Sequence, residues 1–183
     1  IGLHGRGERN EQASSGKEYV MKTGVNQGVP ITYYNLFISG APVVVAKTTA
    51  TTADDYLAQA RGSSLVKGRE KTVIRLAEQS LKLRESAEGF FLVGTHENQL
   101  GDHQGGIAHL SKAIELDSKF VNAFYNRGSA KYSLGDYRGA ITDFDRVLEL
   151  DPNDAEAFYN RGHSKHDYGQ PKSAMSDYGN AIN

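Results

Sequence analysis

The chain has 183 residues, a formal net charge of −1 and a hydrophobic fraction of 38%, which suits one domain with an appendage and gives no electrostatic signature of a nucleic-acid or anionic-membrane partner. The absence of cysteine excludes disulfides, thiol catalysis and cysteine-based zinc or iron–sulfur sites, although it identifies no compartment. No apolar run is long enough to span a bilayer.

The first segment, residues 1–16, is polar and rich in glycine, and this composition predicts an arm or loop. The Gly-Arg-Gly at 5–7 lacks the preceding strand and the third glycine of a dinucleotide-binding loop. The Ser-Gly-Lys at 15–17 lacks the first glycine of a phosphate-binding loop. We therefore predict no nucleotide and no other cofactor.

The next segment, residues 17–52, is rich in β-branched and aromatic residues over Val29–Ile38 and Pro42–Thr52, and turn residues bound both runs. It predicts two or three short strands, so that residues 1–52 form an N-terminal arm and β-rich extension. A β element this small is marginal alone and must pack on helices or pair with another chain. A secretory signal between Met21 and Ala46 is the alternative, but the Tyr-Tyr-Asn at 33–35 interrupts its apolar region.

Residues 53–86 predict two antiparallel helices. Asp54 and Asp55 would cap a first helix that runs to about Val66, and Gly68 would form the turn. The second helix would run over Glu70–Arg84. Its predicted apolar face consists of Val73, Ile74, Ala77, Leu81 and Leu83.

Three units with a period of about 34 residues follow, over 87–120, 121–154 and 155–183, and the last unit is incomplete. Each predicts two amphipathic helices separated by a turn at Gly101, Gly135 or Gly169. Small residues stand where the two helices would cross: Gly94 with Gly106, Gly128 with Ala140, and Gly162 with Ala174. The larger apolar residues recur at helical spacing: Phe90, Leu100, Leu110, Ala113, Ile114; Phe124, Leu134, Phe144, Val147, Leu148; Phe158, Tyr168, Tyr178, Ala181 and Ile182.

These features recur in register three times, and over Ala87–Asn183 they resemble the tetratricopeptide repeat family. The YNRG segments and GDYRGAITDF resemble its bacterial, especially cyanobacterial, members. Departures are Gly106 where alanine is usual and Ser118 where proline is usual. Residues 53–86 resemble a degenerate first repeat. The resemblance implies an all-α, tetratricopeptide-type α-solenoid of antiparallel helix pairs, here with the short β-rich N-terminal extension. The family's base rate favours a cytoplasmic location, and an extracytoplasmic or extracellular one is the alternative.

The resemblance also implies that the first helix of each unit lines a concave groove that binds an extended peptide. Asn126 and Asn160 hold equivalent places there, and an amide can both donate to and accept from a peptide bond. Tyrosines would add rigid contact area. The predicted partner-binding residues are Asn126, Asn160, Tyr125, Tyr159, Asn122, Tyr132, His163 and Phe91. The alternative is that they belong to the repeat consensus and face water. Only Asn126 matches the family's carboxylate clamp for chaperone tails, so we expect no such binding.

His163 and His166 are three residues apart on one predicted helix, with Asp167 beside them, a spacing that can bring two imidazoles near one metal ion. We favour the interpretation that these side chains are exposed polar residues on the groove wall, and we therefore predict no metal site. The histidines of the preceding unit are expected on the surface: His96, His103 and His109. No serine has a matching histidine and acid, and no carboxylate pair suits hydrolysis, so we predict no enzymatic activity.

The sequence thus favours a non-catalytic protein–protein interaction scaffold whose partner is a protein or peptide. The alternative is a structural subunit that assembles with itself. An incomplete last repeat leaves an apolar face open, which the first repeat or the N-terminal strand segment of a neighbouring chain would cover. A head-to-tail contact of this kind gives a homo-oligomer or filament. Truncation of the chain is the other explanation for the incomplete repeat.

Overall fold

A computed structural model describes residues 19–26, 29–38, 41–48 and 52–182. The chain divides into two compact units, Ile1–Thr51 and Thr52–Asn183. The arm predicted over residues 1–16 lies outside the described residues.

The first unit contains an antiparallel sheet in the order β1-β2-β3. Its strands are Tyr19–Asn26 (β1), Val29–Ile38 (β2) and Ala41–Thr48 (β3). The central strand β2 pairs with β1 on one side and with β3 on the other. The backbone of Tyr34 in β2 thus lies opposite Val20 of β1 and Val45 of β3. The β-branched and aromatic residues of this segment favour such strands.

The second unit is helical, and its helices form consecutive antiparallel pairs. They are α1 (Ala53–Ser64), α2 (Glu70–Leu83), α3 (Ala87–Gln99), α4 (His103–Leu116), α5 (Val121–Ser133), α6 (Tyr137–Leu150), α7 (Ala155–Asp167) and α8 (Pro171–Ala181). The first helix, predicted to run to about Val66, ends at Ser64, and its cap residue Leu65 is 87% exposed. None of these helices is both long and apolar enough to cross a membrane.

In two of the helix pairs, α3–α4 and α5–α6, a glycine followed by an aspartate forms the turn. Gly101 and Gly135 adopt φ angles of +89° and +79°, which only glycine reaches without strain. The next aspartate caps the following helix: the side chain of Asp136 accepts a hydrogen bond from the backbone N–H of Gly139 at 2.9 Å. A Cβ at Gly139, in the first turn of α6, would lie 2.1 Å from that carboxylate, so a larger residue there would require the side chain of Asp136 to shift.

The helix crossings confirm that small residues are needed there. A Cβ on Gly94 would lie 2.8 Å from the carbonyl oxygen of Gly106 and 2.9 Å from Cγ of Leu110. The absence of a Cβ at Gly106 leaves room for a side chain from α3, since an added Cβ would meet Oδ1 of Asn98 at 2.0 Å. The side chain of Asn98 therefore fills the place where alanine is usual in the family.

Apolar clusters lie between successive helices from α1 to α7, and each includes residues of more than one pair. The apolar face of one pair is therefore covered by the next pair, as in other repeat arrays. Four residues assigned to the apolar stripes are instead substantially exposed, because they occupy the C-terminal caps: Leu100, Leu134, Tyr168 and Ile182. The predicted place of Leu83 on the apolar face of α2 is also wrong, since this last residue of the helix is exposed.

The first helices of successive pairs approach one another, α1 with α3, α3 with α5 and α5 with α7. Among the described residues, the second helices approach only first helices and not one another. The pairs therefore fan apart on the side of α2, α4, α6 and α8, and the first helices lie on the concave side. We call that side the groove.

Candidate functional site

A cavity of about 330 Å³ opens on the groove between α5 and α7. We call it the groove cavity. The almost fully buried ring of Phe144 closes it from α6. Four of the residues predicted for partner binding contribute to its wall, and they come from two successive repeats. The lining residues are Ser129, Tyr132, Ser133, Phe144, Tyr159, Asn160 and His163.

Aromatic contacts hold the α7 side of the groove cavity in place. The ring of His163 meets the rings of Tyr159 and Tyr178 edge-on, with centroid distances of 4.6 and 5.6 Å. The side chain of Tyr159 is nevertheless 51% exposed. A fixed but exposed ring of this kind offers contact area at a small cost in conformational entropy.

The two predicted asparagines contact the preceding repeat. Nδ2 of Asn126 donates to Oγ1 of Thr95 at 2.9 Å. Nδ2 of Asn160 donates to the hydroxyl oxygen of Tyr125 at 2.6 Å and to the backbone oxygen of Glu156 at 3.0 Å. These amide hydrogens therefore join the first helices of adjacent pairs, and the amide oxygens remain as the groups that can meet a ligand.

The remaining predicted groove residues occupy different environments. Phe91 is half-buried, with its ring 4.8 Å from that of Phe120, and so contributes to packing between repeats. Tyr125 is also half-buried, and its ring lies edge-on to that of Phe144. Burial and the neighbouring carboxylate of Glu156 raise the pKa of Tyr125. Asn122 is exposed.

A buried ion network, which the sequence analysis did not find, joins the helices of the third pair. The guanidinium of Arg127 donates to both carboxylate oxygens of Asp143, at 2.9 and 2.7 Å, and Lys131 lies 2.8 Å from the same carboxylate. Asp143 has only 2% of its side chain exposed. The aspartate thus pairs with two cations of α5, neither of which lines the groove cavity.

The next pair repeats this network with Arg161, Lys165 and Asp177. Burial alone would raise the pKa of Asp177, yet hydrogen bonds from Arg161 and Lys165 outweigh it and hold that pKa below its usual range. The repeated signal was present in the sequence, since an arginine precedes an aspartate by 16 residues in both pairs. Sequence reasoning missed it because the pairing crosses a turn.

In the pair α3–α4 the acid at these places lies on the first helix, and a histidine stands on the second. Glu97 of α3 stands where Lys131 stands in α5, and His109 of α4 stands where Asp143 stands in α6. Nδ1 of His109 lies 2.7 Å from Oε2 of Glu97. The same contact between the two helices is therefore made with the acid on the first helix instead of the second.

The histidines of α3, α4 and α7 lie in different environments. His166 is exposed, with Nδ1 3.0 Å from Oδ1 of Asp167. Within the described ranges no group of three or more histidine, cysteine, aspartate or glutamate side chains could hold a metal ion. The predicted surface position of His96 is wrong, since its side chain is 5% exposed and Nδ1 lies 2.8 Å from the backbone oxygen of Leu92. That hydrogen bond permits its burial. His103 and His109 are half-buried.

Replacing Tyr132 with phenylalanine is expected to raise the pKa of Asp167. The hydroxyl of Tyr132 donates to Oδ2 of Asp167, and this bond, followed by one from His166, holds the pKa of Asp167 below its usual range. A lowered carboxyl pKa stabilises the fold above the ordinary carboxyl pKa, and the contribution is lost as the pH falls through the lowered value. The variant should therefore lose stability at neutral pH but not at low pH, as measured by NMR titration of the Asp167 carboxyl and by urea unfolding.

The same variant has a second readout at alkaline pH. The contact with Asp167, together with burial, raises the pKa of Tyr132 to about 12. The unfolded chain ionises first, so stability should fall as the pH rises from 10.0 to about 12. In the phenylalanine variant this decline should be shallower, and the absorbance titration should lose one late tyrosine. An unchanged titration curve would contradict the assignment.

Stacked helix pairs with a groove along their first helices define the class of α-helical repeat proteins. The family model "TPR repeat" matches residues 94–135 and 128–169. Residues 94–169 of this chain are therefore tetratricopeptide repeats.

Solved structures agree with this assignment of the fold. The chain is similar to MamA, with 21% identity, coverage of 71% of this chain and 76% of the other, and a TM-score of 0.68. It is also similar to YrrB, described as a TPR protein with an unusual peptide-binding site, with 25% identity, coverage of 71% and 67%, and a TM-score of 0.65. No curated protein matches the chain.

Proposed function

We propose that the chain is a non-catalytic scaffold that binds an extended peptide of a partner protein in the groove. The observation that carries the proposal is the groove cavity, which draws its wall from two successive repeats and exposes the ring of Tyr159. A concave site with apolar walls and a few convergent polar groups is the usual form of a binding pocket. The similarity to YrrB, a TPR protein with a peptide-binding site, supports the same interpretation.

The amide oxygens of Asn126 and Asn160 suit the backbone N–H groups of such a peptide. Each amide is oriented by its own hydrogen bond to the preceding repeat, so its oxygen is held in place before the ligand arrives. A preoriented acceptor loses less entropy on binding than a free side chain does.

We also propose that residues 53–86 form a degenerate first repeat, and that residues 1–52 form an N-terminal arm and β-rich extension.

Peptide selection tests this function. A random peptide library should yield sequences that bind the purified full chain, and replacing Tyr159 with alanine should weaken them about fivefold to thirtyfold, as expected for an aromatic anchor of roughly 1–2 kcal/mol. Tyr168 provides the matched control, since it is exposed but does not line the groove cavity. Affinities are measured by calorimetry, and circular dichroism checks that both variants fold.

The proposal fails if no peptide is selected. It also fails if Tyr159→Ala, like the control Tyr168→Ala, binds every selected peptide with the affinity of the unaltered chain. Asn160→Ala gives a further comparison. This variant loses both the acceptor oxygen Oδ1 and the hydrogen bond from Nδ2 to the hydroxyl oxygen of Tyr125.

Self-assembly is a second candidate function, favoured by the exposed apolar side chains of the last helical pair. Met175 is 73% exposed and Ile182 is 86% exposed. Met175 of α8 and the cap residue Ile182 are seven residues apart and so lie on the same side of the helix, where a neighbouring chain would cover both. Sedimentation velocity on the full chain and on Met175→Glu would separate the two functions, since only an assembling chain should become smaller on substitution.

A further inference from the structure

Three of the four hydroxyl groups that line the groove cavity, those of Ser129, Tyr132 and Ser133, have already used their hydrogens. Oγ of Ser129 donates to the backbone oxygen of Tyr125, and Oγ of Ser133 donates to the backbone oxygen of Ser129, both at 3.1 Å. Since a carbonyl oxygen only accepts, the direction of both bonds is fixed. The hydroxyl of Tyr132 likewise donates to the carboxylate of Asp167. Each of these oxygens therefore faces a ligand as an acceptor.

Asn160 extends this set of acceptors. Its nitrogen Nδ2 can only donate, and its two hydrogens are directed to the hydroxyl oxygen of Tyr125 and the backbone oxygen of Glu156. The Oδ1 atom is left for a ligand. Four of the six polar side chains of the cavity wall thus share one property, in that they offer acceptors while their donors are engaged: Ser129, Tyr132, Ser133 and Asn160. The other two, Tyr159 and His163, contribute aromatic rings.

The charges around the groove cavity have the same bias. The cations of α5 and α7 nearest to it pair with the buried aspartates of α6 and α8, as described for Asp143 and Asp177. Asp167 by contrast lies at the surface, joined to the wall through Tyr132. Hydrogen bonds from Tyr132 and then from His166 keep the pKa of Asp167 low, so this carboxylate is ionised at neutral pH. Glu156 adds a second exposed acid on α7.

Aromatic faces complete the environment. Tyr132 and Tyr159 contribute rings from opposite sides of the cavity, and Phe144 closes it. The face of a neutral tyrosine or phenylalanine ring carries partial negative charge and attracts a cation. Rings, acceptor oxygens and a carboxylate together favour a ligand that is flat, positively charged and rich in donors.

We propose that the groove cavity binds an arginine side chain of the partner peptide, stacked on Tyr159 and hydrogen-bonded to the acceptor oxygens of the wall. This inference rests on the proposed function and specifies its ligand. A guanidinium has five N–H donors in one plane and no acceptor, so it matches a wall that offers acceptors. Its charge pairs with Asp167, and its hydrophobic stem contacts Phe144.

Other side chains fit this wall less well. A phenylalanine would fill the space but would remove water from acceptors without supplying donors, and each unpaired group costs roughly fivefold to a hundredfold in affinity. A glutamate would be repelled by Asp167 and brings only acceptors. A lysine has three donors but no plane to stack on a ring.

The test uses short blocked alanine peptides that differ only in their central residue, which is arginine, citrulline, lysine or phenylalanine. Each is titrated into the ¹⁵N-labelled full chain, and chemical-shift changes report both affinity and location. The arginine peptide should bind most tightly, with shifts at Tyr132, Asn160 and His163. Citrulline keeps the shape but loses the charge, and should bind about tenfold more weakly.

Variants of the wall give the matching result from the protein side. Asp167→Asn keeps an acceptor for Tyr132 but removes the charge, and should weaken the arginine peptide about threefold to tenfold while leaving citrulline unchanged. Tyr159→Ala should weaken both peptides, and Tyr168→Ala neither.

Equal or tighter binding of the phenylalanine or citrulline peptide at the groove cavity overturns the arginine assignment, as does an arginine peptide that shifts only residues elsewhere or does not bind. The proposed function is judged separately by library selection. If selected peptides depend on Tyr159 but contain no arginine, the groove function stands and the arginine assignment falls. If no selected peptide depends on Tyr159, the groove function itself fails.

Discussion

Replacing Asp143 with alanine is expected to lower the free energy of unfolding by about 3 kcal/mol. The side chain of Asp143 is 2% exposed and is bound by Arg127 and Lys131, whose side chains are 18% and 19% exposed. Its removal leaves two partly buried cations without a counter-charge. The expected loss lies at the low end of the range for breaking a buried ion pair, because both cations can regain some water.

Asp145 provides the matched control on the same helix. It also pairs with an arginine, Arg161 at 2.7 Å, but 49% of its side chain is exposed. Asp145→Ala should therefore cost less than about 1 kcal/mol. Urea unfolding followed by circular dichroism measures both variants, and amide hydrogen exchange locates the loss in α5 and α6. Equal losses in the two variants would show that the buried carboxylate contributes no more than a surface one.

Replacing Gly94 with alanine is expected to lower the free energy of unfolding by about 2 kcal/mol, as overpacking typically does. The new Cβ would lie 2.8 Å from a backbone oxygen of α4, and a backbone atom cannot move aside as a flexible side chain can. The helices α3 and α4 would have to separate, which would loosen the contact of Leu110 with its neighbours.

Gly62 is the control, because it lies within α1 and an added Cβ there would meet nothing within 4 Å. Alanine has the higher helix propensity, so Gly62→Ala should raise stability by up to about 1 kcal/mol. The same substitution is thus expected to act with opposite signs in two helices, and thermal unfolding of both variants decides it. A stabilised Gly94→Ala would mean that the crossing tolerates a wider helix separation.

The helix pairs could be predicted from the sequence because they depend on local and periodic signals. Glycine at Gly101 and Gly135, aspartate one residue later and small residues at the crossings each have one physical use, and the period repeats them. Exposure at the helix ends was harder to predict. Leu134 continues the apolar period of its helix, yet it caps α5 and is 44% exposed.

The groove was predictable as a location but not in its chemistry. The equivalent residues Asn126 and Asn160 choose non-equivalent partners, Thr95 in one case and Tyr125 in the other. The repeat period cannot reveal such a choice, since it depends on which side chain of the preceding helix is long enough to reach the amide. The burial of His96 was missed for a different reason. Its polar partner is a backbone oxygen of its own helix, and every helix carries such oxygens.

The arginine contacts between adjacent pairs also bear on how such arrays can be rebuilt by genetic recombination. Nη1 of Arg127 meets the hydroxyl of Ser111 in the pair before it, whereas Nη1 of Arg161 meets the carboxylate of Asp145. If the unit 121–154 were duplicated in tandem, the arginine of the second copy would pair with Asp145 of the first copy. If the unit 87–120 were inserted at that place instead, Val93 would stand opposite Asp145. Duplication of the unit 121–154 thus keeps an ion pair at this junction, whereas a changed order of units leaves the Asp145 carboxylate without its arginine.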